Sequence, residues 1–153
     1  MNNITVLHLQ DWQSWKNLRL EALKNAPLSF ASSFEEEAHW HDDAFKQTLT
    51  SNTIYGAMYD GELIGAVGFY PGVLWGLYVR EQHRNKGVAD KLLRAVITYA
   101  RTQVKQLYVT VVTTNTAAIA LYQKHGFKIY GTDIRSLKVD GQFYDEYLMV
   151  LEF

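Results

Sequence analysis

The spacing of apolar and polar residues predicts a strand followed by a helix at the start of the chain. Residues 4–9 have the alternation of a strand, and the apolar residues that follow them recur at nearly helical spacing. We predict a helix that begins at Asp11, which can act as its N-cap, and ends near Asn25. Pro27 lies just beyond this end, where a proline prevents the helix from continuing.

The rest of the chain shows strand and helix patterns separated by turn residues. A second helix is predicted to begin at the capping box of Ser33 and Glu36, to break near Asp42 and to resume to residue 49. An Asp60-Gly61 pair between two alternating segments predicts a hairpin. The further predicted elements are strands over 53–59, 62–70 and 73–79, a helix over 89–103, a strand over 107–112, a helix over 115–125, and strands over 128–139 and 143–153. This order predicts one mixed sheet with helices on both faces.

Composition and charge narrow the class of protein. With 153 residues, of which 48% are apolar and 20% charged, the chain is predicted to form a single domain over residues 1–153. Its formal net charge of −1 gives no general reason to expect a nucleic acid or an anionic membrane as a partner. Cysteine is absent, which excludes disulfides and thiol nucleophiles. No secretory signal or membrane-spanning run is visible, so we expect a cytoplasmic protein.

A basic loop that contains glycine follows the predicted strand over 73–79 and leads directly into a helix. Its sequence is Arg84-Asn85-Lys86-Gly87-Val88-Ala89. In such a unit the loop amides and the first N–H groups of the helix point at one spot, and the helix dipole adds partial positive charge there. Gly87 carries no side chain that would block a close approach, and Ala89 keeps the next turn small. The loop is therefore predicted to bind an anion.

A second motif extends from Asn115 to Phe127. Asn115, Ala118 and Tyr122 share one stripe of the predicted helix. The small residue between the two polar ones leaves a groove with an amide at one end and a phenol at the other. Two interpretations stay open from these residues alone. Either Asn115 and Tyr122 line the groove, or Tyr122 packs in the core and Asn115 only caps the helix.

Together the two motifs resemble those of the GNAT superfamily of N-acetyltransferases. The superfamily's phosphate loop has the form Gln/Arg-x-x-Gly-x-Gly/Ala, and its later motif often has the form Asn-x-x-Ala-x-x-Leu-Tyr-x-x-x-Gly-Phe. The matching residues here are Arg84, Gly87, Ala89, Asn115, Ala118, Leu121, Tyr122, Gly126 and Phe127. The resemblance implies an α/β (α+β) fold with a central mixed, mostly antiparallel sheet of about seven strands and helices on both faces. The two parallel strands, at 73–79 and 107–112, are implied to splay apart.

The resemblance also implies an enzyme that uses acetyl-CoA as its co-substrate. The diphosphate of CoA would lie on the loop over 84–89, held mainly by backbone amides, so that the side chains of Asn85 and Val88 contribute little. The pantetheine arm would hydrogen-bond the backbone of Leu77 and Val79 like an added strand. The residues implied to bind the cofactor are Leu77, Tyr78, Val79, Arg84, Asn85, Lys86, Gly87, Val88, Ala89, Asn115, Ala118, Tyr122 and Lys124.

The implied reaction is direct attack of a primary amine, on a small molecule or a peptide, upon the acetyl thioester. The implied catalytic residues are Tyr122, which donates a proton to the departing thiolate, and Asn115, which assists near the thioester. A free backbone amide near Leu77 or Tyr78 is the candidate donor to the oxyanion.

The general base and the acceptor stay open. The strand over 73–79 contains no carboxylate and no imidazole. The base candidates elsewhere are Glu35, Glu36, Glu37, Asp145 and Glu146. Aromatic candidates for the acceptor cleft are Trp40, Trp75, Tyr78 and Tyr144. A catalytically weak CoA-binding regulatory module is the alternative function. We expect no metal site, and the exposed edge of the C-terminal strand pair is a candidate surface for a homodimer.

Overall fold

A computed structural model describes residues 2–30 and 32–153 of the protein. In chain order the elements are β1 (Asn2–Val6), α1 (Trp12–Asn25), α2 (Phe34–Glu37), α3 (Asp42–Ser51), β2 (Thr53–Tyr59), β3 (Glu62–Tyr70), β4 (Val73–Val79), α4 (Val88–Arg101), β5 (Gln106–Val112), α5 (Thr116–Lys124), β6 (Lys128–Val139) and β7 (Gln142–Glu152). Short 3₁₀ turns lie at Leu9–Asp11, Pro27–Ser29 and Glu81–His83. Within the described residues, none of the helices has both the length and the apolar character needed to cross a membrane.

The seven strands form one sheet in the order β1-β2-β3-β4-β5-β7-β6. Neighbouring strands are antiparallel except for β4 and β5, which are parallel and pair only where Val73 lies beside Tyr108. Beyond that pair the two strands separate. The mixed, mostly antiparallel sheet with a splayed parallel pair is therefore confirmed. The strand β6 forms one edge of the sheet, and the homodimer contact along this edge stays a prediction.

Apolar side chains pack on both faces of the sheet, because successive residues of a strand point to opposite sides. On one face, α4 and α5 contribute to a core that contains Leu92, Val96 and Tyr122. On the other face, α1 and α3 contribute to a core that contains Leu18 and Phe45. The predicted arrangement of helices on both faces is confirmed, and both faces of the gap between β4 and β5 have helices beside them.

The helix α4 has a pattern that fixes where it starts. Val88, Leu92 and Val96 recur at every fourth position and are buried, so they form one apolar stripe against the sheet. Asp90 in its first turn and Arg101 in its last turn have the charges that the helix dipole favours at each end. Because the Val88 side chain is buried at the first helical position, the loop before it is held against the sheet.

The predicted bounds agree with the structure from β2 to β4 and differ at the first strand. β1 ends at Val6 instead of residue 9, because Leu7 is buried and the 3₁₀ turn at Leu9–Asp11 redirects the chain into α1. The Asp11 carboxylate accepts a hydrogen bond from the His8 N–H at 2.8 Å. It makes no side-chain cap to α1, so that part of the prediction is wrong.

The second helix is also shorter than predicted. Four residues, Phe34–Glu37, form α2, and Asp42 begins α3 instead of breaking a longer helix. The Ser33 Oγ accepts a hydrogen bond from the Glu36 N–H at 3.1 Å, as a capping box requires. The Glu36 carboxylate instead accepts a hydrogen bond from the Ser32 hydroxyl at 3.4 Å. One half of the predicted capping box is therefore formed.

Candidate active site

A cavity of about 490 Å³ opens where β4 and β5 separate. Its lining comes from both faces of the sheet. Asn115, Ala118 and Tyr122 contribute from the face that α5 covers, and Arg19 and Phe30 contribute from the face that α1 covers. Because the gap passes between two strands, groups that enter from opposite faces of the sheet can meet inside it.

A bulge in β4 forms one wall of this cavity. Gly76 and Leu77 together stand opposite Val67 of β3, where the register between the two strands shifts. Gly76 has a φ of +66°, a left-handed conformation that favours glycine. Gly76 and Leu77 both line the cavity, and a bulge of this kind leaves backbone groups outside the regular ladder. The geometry is compatible with the free amide predicted near Leu77.

The three residues predicted to share a helix stripe lie together at the cavity. The Asn115 Oδ1 accepts a hydrogen bond from the Ala118 N–H at 3.3 Å, so Asn115 caps α5 and lines the cavity at the same time. The Tyr122 ring packs edge-on against Phe127 with 5.6 Å between the ring centroids, and it also lines the cavity. The two interpretations of these residues therefore both hold in part.

The Tyr122 phenol lies in surroundings that keep it neutral. The side chain is 6% exposed, and this burial raises the pKa of Tyr122 well above its ordinary value. A phenol in this state keeps its proton through the neutral and mildly alkaline range, so it can donate a hydrogen bond into the cavity.

The loop over 84–89 has the backbone geometry of an anion-binding turn. Gly87 is the N-cap of α4 with a φ of +79°, and Asn85 also has a positive φ, of +60°. The Lys91 N–H donates to the Gly87 carbonyl at 3.1 Å, so the amides of residues 88–90 precede the first hydrogen bond of the helix. No heavy atom lies within 4 Å of the position that a Gly87 Cβ would take. The face of the loop at Gly87 is therefore open.

The charged side chains among the residues implied to bind the cofactor have protein partners in this structure. The Arg84 Nε donates to the Val79 carbonyl at 2.8 Å, which ties the loop to the end of β4. The backbone of Val79 was predicted to contact the pantetheine, and its carbonyl already accepts this hydrogen bond. The Lys86 ammonium donates to the Gln82 carbonyl at 3.3 Å. The Lys124 ammonium lies 3.1 Å from a carboxylate oxygen of Asp90 on α4.

Asp90 is the centre of an ion-pair cluster that the sequence did not reveal. Besides Lys124, it contacts Arg94 Nε at 2.9 Å and His125 Nε2 at 2.8 Å. The Lys124 ammonium, aided by the His125 ring, holds the pKa of Asp90 below its ordinary value. The spacing of Asp90 and Arg94 on one helix is a visible sequence signal. The contacts with Lys124 and His125 join two helices and have no such signal.

One carboxylate among the base candidates lines the cavity. Glu146 lies on β7 beside Val112 of β5, and its Oε1 accepts a hydrogen bond from the Ser136 hydroxyl at 2.8 Å. The second carboxylate oxygen, Oε2, is outside this hydrogen bond. Glu146 therefore brings a negative charge to a cavity whose β4 wall has none.

The structure describes all four other base candidates, and they lie outside this cavity. Glu37 is 1% exposed and its carboxylate forms a two-point ion pair with α1. The Asp145 carboxylate accepts a hydrogen bond from the backbone of β6. Glu35 and Glu36 line a second depression, between the segment that joins α1 to α2 and the turn between β6 and β7.

Arg19 lines the cavity, although nothing in its local sequence pointed to this position. Its Nε and Nη2 donate to the two carboxylate oxygens of Glu37, each at 3.0 Å. The guanidinium carbon lies 4.9 Å from the centroid of the Phe30 ring and 5.6 Å from that of Trp75. Arg19 and Glu37 are 18 residues apart and lie on different helices, so sequence spacing could not show the pair.

The aromatic candidates for the acceptor cleft lie in different parts of the structure, and one of them lines the cavity. Trp75 lines the cavity, and Gly68 makes room for its indole, because a Cβ there would lie 2.3 Å from the ring. The Tyr78 side chain faces away, and its hydroxyl donates to a carboxylate of α1 at 3.1 Å. Trp40 lines a different, shallow depression beside α3. In the described part of the chain, Tyr144 is not among the residues that line the cavity.

Comparisons with known proteins agree on the family. Residues 12–127 match the model of the Acetyltransferase (GNAT) family. The N-alpha-acetyltransferase RimI of Mycobacterium tuberculosis is 31% identical over 141 residues, which cover 86% of each protein. A GNAT-family acetyltransferase from Streptococcus pneumoniae has the same fold, with a TM-score of 0.86, 22% identity and full coverage of both chains. The structure of yncA from Salmonella typhimurium with its cofactor acetyl-CoA also has a TM-score of 0.86, with 17% identity over 99% of this chain and 94% of that one. The resemblance seen in the two sequence motifs is thus confirmed: the chain is an acyltransferase and belongs to the acetyltransferase (GNAT) family.

Proposed function

We propose that the protein transfers an acetyl group from acetyl-CoA directly to a primary amine, of a small molecule or a peptide, while both substrates are bound. The observation that carries this proposal is the cavity between β4 and β5, which brings Tyr122, Asn115 and Glu146 to one gap beside the bulge at Gly76. The acetyl-CoA in the yncA structure supports the donor, and the name of RimI, an N-alpha-acetyltransferase, supports an amine as acceptor.

The donor is proposed to bind on the face of the sheet that α4 and α5 cover. The amides of residues 88–90 and the open face of Gly87 suit the diphosphate, because they are free to donate and no side chain obstructs them. Arg84 positions the loop through its hydrogen bond to β4. Asn115 contacts the pantetheine arm through its side-chain amide, and Ala118 leaves room for the arm beside the backbone of Leu77.

The acceptor amine is proposed to lose its proton to Glu146 through a bound water. A free alkyl amine near pH 7 is mostly protonated, so its nitrogen needs such a base before it can attack. The neutral nitrogen then attacks the thioester carbon, and the negative oxygen of the tetrahedral intermediate accepts a hydrogen bond from the backbone N–H of Leu77. Attack leaves the nitrogen cationic, and it releases its second proton as the intermediate collapses and the C–S bond breaks. The products are an N-acetylated amine and CoA.

Tyr122 is proposed to donate its proton to the sulfur as the C–S bond breaks. Its raised pKa keeps the phenol protonated at the pH at which the amine is neutral enough to react. Because a thiol ordinarily has a lower pKa than a phenol, this transfer is completed as the phenolate takes up the second proton that the acetylated nitrogen releases. The proton on Glu146 passes to solvent, so that one proton is released overall for each ammonium form of the amine that is acetylated.

A regulatory module that binds CoA without turnover is the alternative, and no feature of the cavity favours it. The cavity contains a carboxylate and a phenol that binding alone does not require. Mixing the protein with acetyl-CoA and a panel of amines and short peptides tests the proposal. We expect free thiol and N-acetylated product in equal amounts. Tight binding of acetyl-CoA with no thiol release from any member of the panel would contradict the proposal.

A further inference from the structure

The Arg19 guanidinium has one nitrogen outside its ion pair, and this nitrogen lies at the wall of the cavity. Its Nε and Nη2 are used by Glu37, which leaves Nη1 outside the ion pair. Nη1 lies 3.4 Å from the position that a Cβ would take on Gly76 of the β4 bulge. The Arg19 side chain is 12% exposed, and the residue lines the cavity. Nη1 therefore offers N–H donors at the wall of the cavity beside the bulge.

The guanidinium is also held in a fixed orientation. The two-point contact with Glu37 sets its plane, and the rings of Phe30 and Trp75 lie against it at 4.9 and 5.6 Å. A donor that is fixed before a ligand binds loses little side-chain entropy on binding. Buried ion pairs are often no more stable than apolar residues of the same volume, so stability alone does not account for this arrangement.

The cavity has a positively charged side chain, Arg19, on one side and a negatively charged one, Glu146, on the other. Arg19 lies beside Gly76, and Gly76 comes directly before Leu77, whose amide is the proposed oxyanion donor. Glu146 reaches the cavity from β7, beyond β5. A group bound to Nη1 therefore lies close to the attacking nitrogen, while Glu146 favours the ammonium form of the incoming amine. A ligand suited to both sites has an amine and a hydrogen-bond-accepting oxygen separated by few bonds.

We infer that the acceptor is an α-amino carbonyl compound, either a free α-amino acid or the first residue of a peptide, whose carbonyl or carboxylate oxygen accepts a hydrogen bond from Arg19 Nη1. The inference rests on the proposed acetyl transfer and narrows its acceptor. A polyamine has no oxygen for Nη1, and its second cationic group is repelled by the guanidinium.

Three acceptors with the same side chain test the inference. L-Leucine, L-leucinamide and 3-methylbutylamine differ only in the group beside the amine, which is a carboxylate, a carbonyl amide or hydrogen. Values of kcat/KM are calculated for the neutral form of each amine, where they no longer depend on pH. Differences in the fraction of each amine that is protonated therefore do not enter the comparison. We expect 3-methylbutylamine to be at least about tenfold worse than L-leucine, since a hydrogen bond to a charged group contributes about 1.5–3 kcal/mol. Equal values, or a preference for 3-methylbutylamine or spermidine, would overturn the inference.

One further acceptor, compared with L-leucinamide and L-leucine, distinguishes whether the carbonyl belongs to a peptide or to a free amino acid. A tripeptide that begins with leucine carries a neutral carbonyl beside its amine, as L-leucinamide does. If both exceed L-leucine, the acceptor is a peptide N-terminus, and if L-leucine exceeds both, it is a free amino acid. Either order of the kcat/KM values supports an α-amino carbonyl compound as the acceptor.

The residue assignment is tested with a pair of double variants. Arg19→Met with Glu37→Met removes both charges, so that no buried carboxylate is left unpaired and the fold is kept. We expect this variant to lose the preference for L-leucine over 3-methylbutylamine and to keep its affinity for CoA. The control, Lys16→Met with Asp42→Met, removes another ion pair of α1, of 2.9 Å, outside the cavity. The control is expected to keep the preference, and an unchanged preference in the Arg19 variant would overturn the assignment.

A binding measurement separates this inference from the proposed function. Melting temperatures are recorded with saturating CoA and increasing L-leucine or 3-methylbutylamine. A larger rise with L-leucine that disappears in the Arg19 variant supports the inference even if no amine is acetylated, and in that case only the proposed transfer fails. Turnover with every amine but no difference between the two ligands would overturn the inference and leave the transfer intact.

Discussion

The donor side and the acceptor side of the proposed site use different kinds of groups. Backbone groups predominate on the donor side, and side chains on the acceptor side. The proposed donor side comprises the loop over 84–89 and the start of α4, which lie outside the cavity lining, and the stripe on α5, which lines it. Most of its proposed contacts are backbone groups. The proposed acceptor side comprises Arg19, Phe30, Trp75 and Glu146, which line the cavity from four separate segments and are proposed to act through their side chains. The donor side is encoded by short stretches of sequence, whereas the acceptor side exists only once the chain has folded.

This difference bears on how each proposed side responds to substitution. Backbone amides at a helix start recognise a phosphate whatever the neighbouring side chains are, so one loop can serve one donor in many proteins. Side chains that converge from distant segments can be exchanged one at a time without disturbing that loop. Substitutions on the two sides should therefore have separable effects, with catalysis depending on groups from both.

The largest effect is expected from Tyr122→Phe. Loss of the proton donor should lower kcat by about 10²–10⁴-fold, the usual contribution of a positioned acid. The affinity for acetyl-CoA, measured by calorimetry, should change little because the ring still packs against Phe127. Tyr99→Phe, on the same face of the sheet, is the control and should leave kcat unchanged. A wild-type kcat in Tyr122→Phe would rule out this role.

A somewhat smaller loss is expected from Glu146→Gln. The amide keeps the size of the side chain and an oxygen for the Ser136 hydroxyl but cannot accept the proton of the amine. We expect kcat/KM near pH 7 to fall by about 100-fold and to recover partly at higher pH, where more of the free amine is neutral. Asp145→Asn, next to it on β7, is the matched control. Equal losses in the two variants would point to a general effect of charge on the strand.

A loss of about tenfold in CoA affinity is expected from Gly87→Ala, because an alanine in the left-handed region costs about 1–2 kcal/mol and the loop relaxes away from its anion-binding shape. Gly61→Ala is a closely matched control. Gly61 has a φ of +76° against +79° for Gly87, and both positions have open space around a Cβ. The two variants should lose similar stability to denaturant, but only Gly87→Ala should bind CoA more weakly. Equal CoA affinities would contradict the loop assignment.

The smallest effect is expected in the pH dependence of stability. Below about pH 10 the Tyr122 phenol is neutral in both the folded and the unfolded chain, so it adds no pH dependence. Above that pH the unfolded chain loses the proton while the raised pKa of the folded chain keeps it. The free energy of unfolding should then fall by up to about 1.4 kcal/mol per pH unit through this residue. Urea titrations of the wild type and Tyr122→Phe should diverge above pH 10 and run parallel below it.

The sequence predicted most of the fold, and the residues of the proposed donor side could be named from it, for reasons that particular residues make clear. The strands from β2 to β4 were predicted with the right bounds, because Asp60-Gly61 fixes the hairpin and each strand ends at a turn residue. The loop at Gly87 and the stripe from Asn115 to Tyr122 were visible because their members are close in the chain.

What could not be predicted depends on contacts between distant segments. The Arg19 pair with Glu37 joins two helices, and the Asp90 cluster joins α4 to α5. Glu146 was one of five candidate bases, and only the pairing of β7 with β5 puts it at the cavity. The periodicity of apolar residues shows which face of a helix or strand a residue occupies. It does not show which other element packs against that face.

The separation of β4 and β5 has a consequence for the order of events in a catalytic cycle. The donor and the acceptor are proposed to approach the gap from opposite faces of the sheet, so neither blocks the path of the other. A product on one face can leave while the other face is still occupied. Initial rates measured against both substrates should therefore give double-reciprocal lines that intersect, as for a ternary complex, and each substrate alone should bind the free enzyme, as addition in either order requires. Because β4 and β5 pair only at Val73 and Tyr108, the gap that this proposed two-sided approach requires is open beyond that point.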